Sequence, residues 1–523
     1  MRKIYTLILI LFFCQVAIAQ TTSAGGHLGG SFESYTQLYQ RDNKINAVLP
    51  QDRIGSNNYL KLDYNYKQFS AGLQFEGYLP SIAGYPYIIN ESKIINRFIK
   101  YGADKFSIQV GDFYEQFGSG LIFRSWENRQ IGINNALEGV NVMIKPVSFI
   151  QLKAIYGRQR KILDRSNSIV RGVDADIDIT GIDKNKTHNT NISIGGSYVT
   201  RYQLYTGPDI SFPATVKATA ARIMIAGQAA NFSAEYVHKS KDPNINNFLS
   251  SSSGKALLIN ATYAKNNLGI NLNWRAMENL DFRGERDAVA TIVPVNFIPA
   301  LTKQHDYLTT NIYVYNAQPL AETGGQVDLF YNLKGNKNKP SRFAINFAQY
   351  RSLNDTNNIF SAGNNKYFQD FSVEWKKKWN TKWTTTLAFH NLFYNKSIVE
   401  GGIYPNIKSN IIVLNALYKY NRRNSFRFEL QNLFSEQDNG NWFAAVTEFG
   451  FAPKWNFFIS DLYNYGVTNI HYPTIGSSYT KSGSRFSVSY GRQRAGLFCV
   501  GGVCRFVPAA TGITATLTTT FNN

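Results

Sequence analysis

The sequence predicts an all-β fold, a transmembrane antiparallel up-and-down β-barrel of about 20–24 strands with long extracellular loops. Three observations lead to this prediction. Segments of about ten residues alternate apolar and polar side chains, as strands do when one face meets lipid and the other meets water. Tight turns alternate with long polar connections along the chain. The composition, with 32 Tyr and 36 Phe but only 17% charged residues, favours strands over the helices of a soluble α/β enzyme.

Residues 1–19 have the pattern of a secretory signal peptide. Arg2 and Lys3 form a positive start, an apolar run follows, and Ala17-Ile18-Ala19 fits the small-residue cleavage site, so cleavage is expected after Ala19. A membrane anchor is the weaker interpretation, because the run is shorter than the roughly 18–20 apolar residues that a spanning helix needs. We therefore predict export to the cell outer membrane and a single barrel domain over residues 20–523.

The formal net charge is +20, and a charge of this size can indicate nucleic-acid binding. The chain has no basic helix and no RNA-binding motif, so we expect no nucleic-acid partner. Basic side chains that line a lumen and its loops, where they face water and anionic lipid, explain the charge more simply. The partners expected from this fold are outer-membrane lipid, the barrel-assembly machinery during biogenesis, and other outer-membrane proteins.

Residues 59–66 show the strand alternation most clearly. Leucine or tyrosine occupies the even positions, and Lys, Asp and Asn occupy positions 61, 63 and 65. In residues 71–78 the apolar Leu73 and Phe75 alternate with Gln and Glu in the same way. Because only residues 67–68 separate the two segments, they are predicted to form a hairpin.

The same pattern continues to the end of the chain and predicts 24 candidate strands. An even number is expected for a bacterial barrel, so 20, 22 and 24 strands are all compatible with the sequence. The candidate strands begin near residues 29, 56, 69, 94, 105, 137, 148, 168, 190, 215, 231, 254, 268, 324, 341, 366, 383, 408, 425, 441, 454, 469, 485 and 512. Longer polar loops are predicted at 41–56, 80–93, 158–167, 201–214, 240–253, 276–323, 351–366, 394–407 and 434–440.

The stretch 111–139 interrupts the strand pattern and is the best candidate for a functional element. It mixes aromatic residues with both signs of charge, and several glycines prevent one continuous helix or strand. We predict a loop that folds into the barrel and narrows it, so that its charges select solutes. It could instead fasten the barrel shut, dock a partner, or be an ordinary surface loop. The candidate pore residues are Asp112, Glu115, Arg124, Glu127, Arg129 and Glu138.

Cys499 and Cys504 are the cysteines that remain after signal cleavage. They flank Gly501-Gly502, which is typical of a two-residue hairpin turn, so the two cysteines would face each other. An oxidising compartment favours a disulfide at this pairing. A metal-binding pair is the alternative, but no second Cys or His pair lies nearby. The hairpin would lie in the last extracellular loop, 491–511.

Enzymatic and metal sites are not predicted. The six histidines show no metal-ligand spacing, and no nucleophile elbow, phosphate-binding loop or dinucleotide fingerprint is present. Asp174, Asp176 and Asp178 would share one strand face. They could bind Ca²⁺, but a solvated lumen wall paired with Arg or Lys of neighbouring strands explains them better. We therefore expect no enzyme activity, no cofactor and no metal.

Aromatic residues near strand ends predict the girdles that barrels place at both membrane interfaces. The tryptophans in question are Trp375, Trp379, Trp383, Trp442 and Trp455. The chain ends in GITATLTTTFNN, whose apolar residues alternate and whose last aromatic is Phe521. This ending is similar to the terminal signal that the barrel-assembly machinery reads, although two asparagines follow the aromatic here.

Two segments, FYEQFGSGLIFRSWENRQIGINNALEGV and GRQRAGLFCVGGVCRFVPA, resemble an uncharacterised family of Bacteroidota outer-membrane β-barrel proteins. The resemblance implies the fold and the location, and no substrate. We expect a pore or transport channel narrowed by an internal charged loop. The alternative is a non-conducting scaffold or accessory subunit of an outer-membrane assembly, secretion or uptake complex. A TonB-dependent receptor is disfavoured because strands begin soon after residue 20, and adhesion through the loops is a weaker idea.

Overall fold

A computed structural model describes residues 25–183, 189–205, 212–333, 339–355, 358–500 and 503–522, and most of them form strands. The predicted signal peptide and the Gly501-Gly502 turn lie outside these ranges. Within them, no helix is long and apolar enough to cross a membrane. The helices are one short α-helix, α1, and four single 3₁₀ turns: Lys396–Val399 for α1, then Asn43–Ile45, Thr180–Ile182, Ile245–Asn247 and Thr310–Ile312.

The main sheet is a closed antiparallel barrel of 24 strands. A further two-residue strand, Asp164–Arg165, pairs with only one wall strand. The wall strands are β1 His27–Gln40, β2 Ile54–Tyr66, β3 Phe69–Tyr78, β4 Ser92–Ala103, β5 Phe106–Phe113, β6 Leu137–Val147, β7 Ile150–Lys161, β8 Ile169–Asp178, β9 Thr190–Tyr202, β10 Thr215–Gly227, β11 Ala230–Lys239, β12 Gly254–Lys265, β13 Leu268–Glu278, β14 Ala321–Asn332, β15 Ser341–Asp355, β16 Asn358–Lys378, β17 Trp383–Asn395, β18 Asn406–Lys419, β19 Asn424–Phe434, β20 Trp442–Phe451, β21 Trp455–Asn464, β22 Ile470–Lys481, β23 Ser484–Gln493 and β24 Ala510–Asn522.

Each wall strand pairs with its neighbours in the sequence, and β1 closes the barrel on β24. The closing register runs from Gly29 opposite Asn522 to Gln40 opposite Thr511. The prediction of a barrel with up to 24 strands is confirmed, and the largest of the allowed numbers is the observed one. All predicted strand starts but one fall within three residues of the observed starts.

The exception lies in the predicted loop 351–366, which is wrong. β15 extends to Asp355, and β16 begins at Asn358 instead of near residue 366. The extra residues pair with each other through several register shifts, for example Leu353 with Ala362. The polar composition of these residues predicts a loop, but what a polar composition indicates is contact with water. The hairpin formed by the ends of β15 and β16 is also surrounded by water, and backbone hydrogen bonds between its strands form without apolar side chains. A polar composition therefore does not distinguish such a hairpin from a loop.

The two ends of the barrel differ. At one end, here called the short-turn end, connections such as 67–68, 104–105 and 266–267 have two residues. At the other end, the long-loop end, the connections include 114–136 and 279–320. This asymmetry is the one predicted, and it is typical of outer-membrane barrels.

The side chains of the wall divide into an apolar outer face and a polar inner face. In β3 the outward Leu73 is 38% exposed, while Gln74 and Glu76 on the opposite face are buried. In β21 and β22 the outward Ile459 and Ile475 are more than half exposed. Large apolar side chains exposed around a closed sheet have no partner in the chain itself, and lipid is the environment that suits them.

The aromatic girdle is present at the short-turn end. Trp379, Trp383 and Trp455 are all more than 40% exposed there, and Trp383 lies 4.6 Å from the ring of Tyr418. The prediction for Trp442 is wrong. Its side chain is 2% exposed and points inward, where it belongs to one buried cluster with Ile312, Tyr313 and Tyr315 of the connection 279–320.

We predict that the inner and outer faces respond oppositely to a new charge. Ile459→Arg places a charge in lipid near the middle of β21 and should cost about 2–4 kcal/mol of stability. Ser460→Arg, one residue away on the inner face, should cost less than about 1 kcal/mol. Urea unfolding of both variants in lipid vesicles measures the difference. Equal costs for the two variants would contradict the assignment of the faces.

Candidate functional site

Three pieces of chain from the long-loop end fold back against the inner side of the wall. We call residues 114–136 the first inner segment, residues 279–320 the second inner segment, and Gly496–Val500 with Val503–Val507 the disulfide hairpin. The predicted loop 111–139 is shorter than expected, because its first and last residues belong to β5 and β6. The predicted loop 491–511 is shortened in the same way by β23 and β24.

The first inner segment consists of two very small hairpins. Gln116–Phe117 pairs with Phe123–Arg124, and Glu127–Asn128 pairs with Ile133–Asn134. Gly118 has a φ of +52° and lies against β11, where a Cβ atom would come within 2.8 Å of a carboxylate oxygen of Glu235. The glycines that broke the strand pattern in the sequence therefore allow a tight turn close to the wall.

A dry core holds this segment to one side of the barrel. Phe117, Leu121 and Phe123 are at most 1% exposed, and the rings of Phe117 and Phe123 are 5.2 Å apart. They pack in one cluster with inward-facing valines of four successive wall strands, β8 to β11. These valines are fully buried and comprise Val170, Val199, Val216 and Val237. The inner face of these strands is therefore apolar where the segment covers it.

The second inner segment adds a backbone ladder to the first. The amide of Phe297 donates to the carbonyl of Gly120, and the amide of Arg124 donates to the carbonyl of Val295, both at 2.9 Å. Between them, the Asn296 side chain donates to the carbonyl of Leu121 at 3.1 Å. The two inner segments thus form one body.

Glu115, Glu127 and Arg129 of the predicted set connect the first inner segment to the wall. Glu115 pairs with Lys153 of β7 at 2.9 Å. Arg129 pairs with Glu33 of β1 at 2.7 Å and with Glu127 at 3.2 Å. Burial and these two carboxylates act in opposite directions on Arg129, and the carboxylates prevail, so its pKa is raised above its ordinary value.

Asp112 and Glu138 belong to the wall and not to the segment. They lie opposite each other on β5 and β6, and both accept hydrogen bonds from Arg165 at 2.8 Å. Arg97 of β4 adds a backbone donor to Asp112 and a longer contact of 3.5 Å to Glu138. These two carboxylates therefore brace the strands from which the first inner segment starts and to which it returns.

Arg124 differs from the other predicted residues. Its guanidinium lies 4.2 Å from the ring centre of Phe297 and 4.9 Å from that of Trp126. No ion pair involves it in the ranges that the structure describes. Burial lowers the pKa of this guanidinium, which nevertheless stays protonated at neutral pH. The contact between the two inner segments is thus centred on a cation between two aromatic rings.

The second inner segment continues across the barrel to the opposite strands. The amide of Thr309 donates to Gln431 of β19 at 2.8 Å, and Tyr350 of β15 donates to the carbonyl of Leu301 at 2.7 Å. Tyr313 and Tyr315 pack in a second apolar cluster with residues of β15 to β20. The sequence predicted this stretch only as part of the polar loop 276–323. The repeated valines, isoleucines and tyrosines of this stretch indicate that it is buried, since a loop exposed to water is usually polar.

The structure also brings together three residues that no spacing in the sequence connects. His305 of the second inner segment, Asp370 of β16 and His390 of β17 have donor atoms within 4.8 Å of one another. They line a cavity of about 290 Å³. The expectation of no metal site relied on spacing along the chain, and spacing carries no information on contacts between distant segments.

The aspartate row on β8 reaches a second cavity of about 550 Å³ towards the short-turn end. Arg222 of β10 pairs with Asp174 at 2.9 Å and with Asp176 at 2.6 Å. Asp178 lines the cavity with Glu235. Two of the three aspartates, Asp174 and Asp176, are therefore paired with an arginine of a neighbouring part of the wall, as the simpler of the two interpretations predicts.

The disulfide hairpin covers part of the long-loop end. A disulfide joins Cys499 and Cys504, which face each other across the hairpin as the sequence predicts. Arg505 donates to the carbonyl of Gln130 in the first inner segment at 2.9 Å. On its other side, Cys499 lines the cavity of His305. The hairpin thus contacts both inner segments.

Solved structures with a similar fold include other large barrels. The P pilus usher translocation pore PapC is 9% identical, with a TM-score of 0.46, and the match covers 95% of this chain and 99% of that chain. The siderophore receptor PirA from Pseudomonas aeruginosa is 10% identical, with a TM-score of 0.40 and coverages of 94% and 80%. OccAB3 from Acinetobacter baumannii is 10% identical, with a TM-score of 0.36 and coverages of 95% and 99%.

No curated protein matches this sequence. A family model matches residues 1–521, which is nearly the whole chain, and its description is a family of unknown function. The chain belongs to this family of unknown function, DUF6029.

Proposed function

We propose that the chain is an outer-membrane channel for hydrophilic solutes whose lumen is closed or narrowed by its two inner segments. The observation that carries the proposal is the dry core between the first inner segment and the valines of β8 to β11. A barrel of 16–18 strands already leaves an aqueous channel, and larger barrels are filled by a plug. A wall of 24 strands needs such a filling unless it is to leave a wide hole in the membrane.

The cavity of about 550 Å³ below the first inner segment supports a path for solutes. Its lining combines Asp178, Arg222, Glu235 and Lys145 with hydroxyl and amide side chains. A purely structural scaffold would gain stability from an apolar or fully paired filling of this space. A lining with both signs of charge and open volume suits water and polar solutes.

The contacts of the inner segments support gating more than charge selection. Glu115, Glu127 and Arg129 each have a partner of opposite charge, so they present little free charge to a passing solute. Both segments begin and end on paired wall strands, so they can move while the barrel stays closed. We infer that opening requires displacement of the first inner segment from the wall.

The orientation and the cellular setting belong to the same proposal. The long-loop end faces the outside and the short-turn end faces the periplasm, as in other outer-membrane barrels. Residues 1–19 direct export, and the barrel-assembly machinery inserts the chain among outer-membrane lipid. As part of this proposal, the source is a bacterium of the Bacteroidota. The proposed function involves no nucleic acid and no enzymatic reaction. Another outer-membrane protein is the kind of partner that could displace the inner segments.

We predict that removal of the first inner segment opens the channel. Phe113 and Leu137 are directly paired at its ends, so an Asn-Gly turn can replace residues 114–136 without a change of register. Single-channel recordings in planar bilayers should show a conductance several-fold above that of the intact protein. The second inner segment can be replaced in the same way, because Glu278 pairs with Ala321.

Replacement of residues 465–469 by the same turn provides the control. This connection lies at the same end, between the paired Asn464 and Ile470. The control variant should conduct like the intact protein. A barrel that is folded but silent in all variants would contradict the channel and support the scaffold, and co-purification with outer-membrane proteins would then be the next measurement.

We predict that the Glu115–Lys153 pair stabilises the closed state. Glu115→Gln or Lys153→Gln alone leaves the partner unpaired in a site where both side chains are 19% exposed, so each variant should increase the open probability several-fold. The double variant should show less than the sum of the two effects, because the interaction is lost only once. Open probability in bilayers at constant salt measures this.

Lys61→Gln is the matched control for this pair. Lys61 pairs with Asp63 at 3.1 Å on the same wall strand, and in the described part of the chain no ion pair joins either residue to an inner segment. Loss of the Lys61–Asp63 pair should leave the open probability unchanged. Additive effects of Glu115→Gln and Lys153→Gln would show that the pair does not connect the segment to the wall.

A further inference from the structure

We propose that His305, Asp370 and His390 form a binding site for a divalent transition-metal ion of the Zn²⁺ class. Two imidazoles and one carboxylate are a ligand set that suits zinc and neighbouring first-row metals, with a further position open to water or a solute. The three residues come from the second inner segment and from two adjacent wall strands. The site does not depend on whether the barrel conducts.

The distances between the donor atoms support one shared ion. His305 Nε2 lies 2.7 Å from Asp370 Oδ2, and all three donors lie within 4.8 Å of one another. Ligands of a tetrahedral zinc ion lie roughly 3.3 Å apart when each is about 2.0–2.1 Å from the metal. Small rotations of the two rings therefore bring the three donors to ligand distance, with no movement of the wall strands.

His390 is the residue that other interpretations explain least well. Its side chain is 3% exposed, and neither ring nitrogen has a hydrogen-bond partner among the described residues. Buried polar groups are almost always paired, because an unpaired one loses its hydration without compensation. The ring of His305 lies 4.5 Å from that of His390, at right angles to it. A metal ion would give His390 the partner that the chain itself does not provide.

The cavity around the three ligands gives a metal ion access to the site. It also leaves one coordination position of the bound ion open. The three ligands line a cavity of about 290 Å³ together with Asp306 and Lys303. Asp306 adds a second negative charge that favours a cation, and Lys303 offsets part of it. Leu497 and Phe498 of the disulfide hairpin close the cavity on another side, so the hairpin covers the proposed site.

The ion would connect the second inner segment to the wall. Among the three ligands, His305 belongs to the segment, while Asp370 and His390 belong to β16 and β17. Bound metal would therefore restrain the part of the segment that crosses the barrel, and its removal would leave the His305–Asp370 hydrogen bond as the direct contact at this point.

Metal titration of the full-length protein in detergent tests the proposal. The protein is first treated with a chelator and then titrated with Zn²⁺ by calorimetry and with Co²⁺ by visible absorption. We expect one equivalent of Zn²⁺ per chain and the Co²⁺ spectrum of a site with nitrogen and oxygen ligands. Asp370→Asn and His305→Gln, which keep the side-chain size, should each weaken binding by at least about tenfold.

His471→Gln is the matched control. His471 also contacts a carboxylate, with its Nδ1 atom 2.5 Å from Asp461, but it lies exposed on β22, outside the cluster. This variant should bind like the unaltered protein, and heat-dependent gel mobility shows that each variant has a folded barrel. The proposal is overturned if the folded, unaltered protein binds no stoichiometric metal, or if Asp370→Asn and His305→Gln bind as tightly as His471→Gln.

Discussion

Closure of the sheet between β1 and β24 is the constraint on which the rest of the structure depends. Lipid offers no hydrogen bonds to an open strand edge, so a sheet in a membrane must pair every edge. The register from Gly29 to Gln40 achieves this. Closure then divides the side chains between a lipid side and a lumen side. Charged side chains of the wall that face inward find partners inside the barrel, as Arg160 does with Glu76, on strands that are not neighbours.

The inner segments cover apolar side chains that the wall would otherwise expose to water in the lumen. On β8 to β11 the inward positions near the long-loop end are occupied by valines, including Val170 and Val237, which would be costly to leave in water. Nearer the short-turn end the inward positions of the same strands are polar, as with Asp176 and Glu235. The inner face of β8 to β11 is therefore apolar where the first inner segment packs on it and carries polar side chains nearer the short-turn end. This division favours a plug that occupies only one end of the lumen.

The sequence predicted the wall well because each strand reports its own environment through local alternation. It predicted the disulfide because Cys499 and Cys504 are close along the chain. It could not predict contacts that join distant segments, since a single sequence contains no signal for them. The cluster of His305, Asp370 and His390 and the buried surroundings of Trp442 both involve the second inner segment, which the sequence predicts only as part of a polar loop. The partners of Glu115 and Arg129, which lie on β7 and β1, could not be predicted from the sequence for the same reason.

Magnitudes decide what holds the first inner segment in place. Partly exposed ion pairs such as Arg129 with Glu33 contribute at most about 1 kcal/mol each. Each fully buried apolar side chain, such as Phe117 or Phe123, contributes roughly 1.5–3 kcal/mol. Apolar burial therefore supplies most of the stability with which the first inner segment is held, and the ion pairs fix its position on the wall. If the segment is displaced as we propose, the partner or solute that displaces it must offer these side chains another apolar surface, because competition for the charges alone leaves the larger contribution intact.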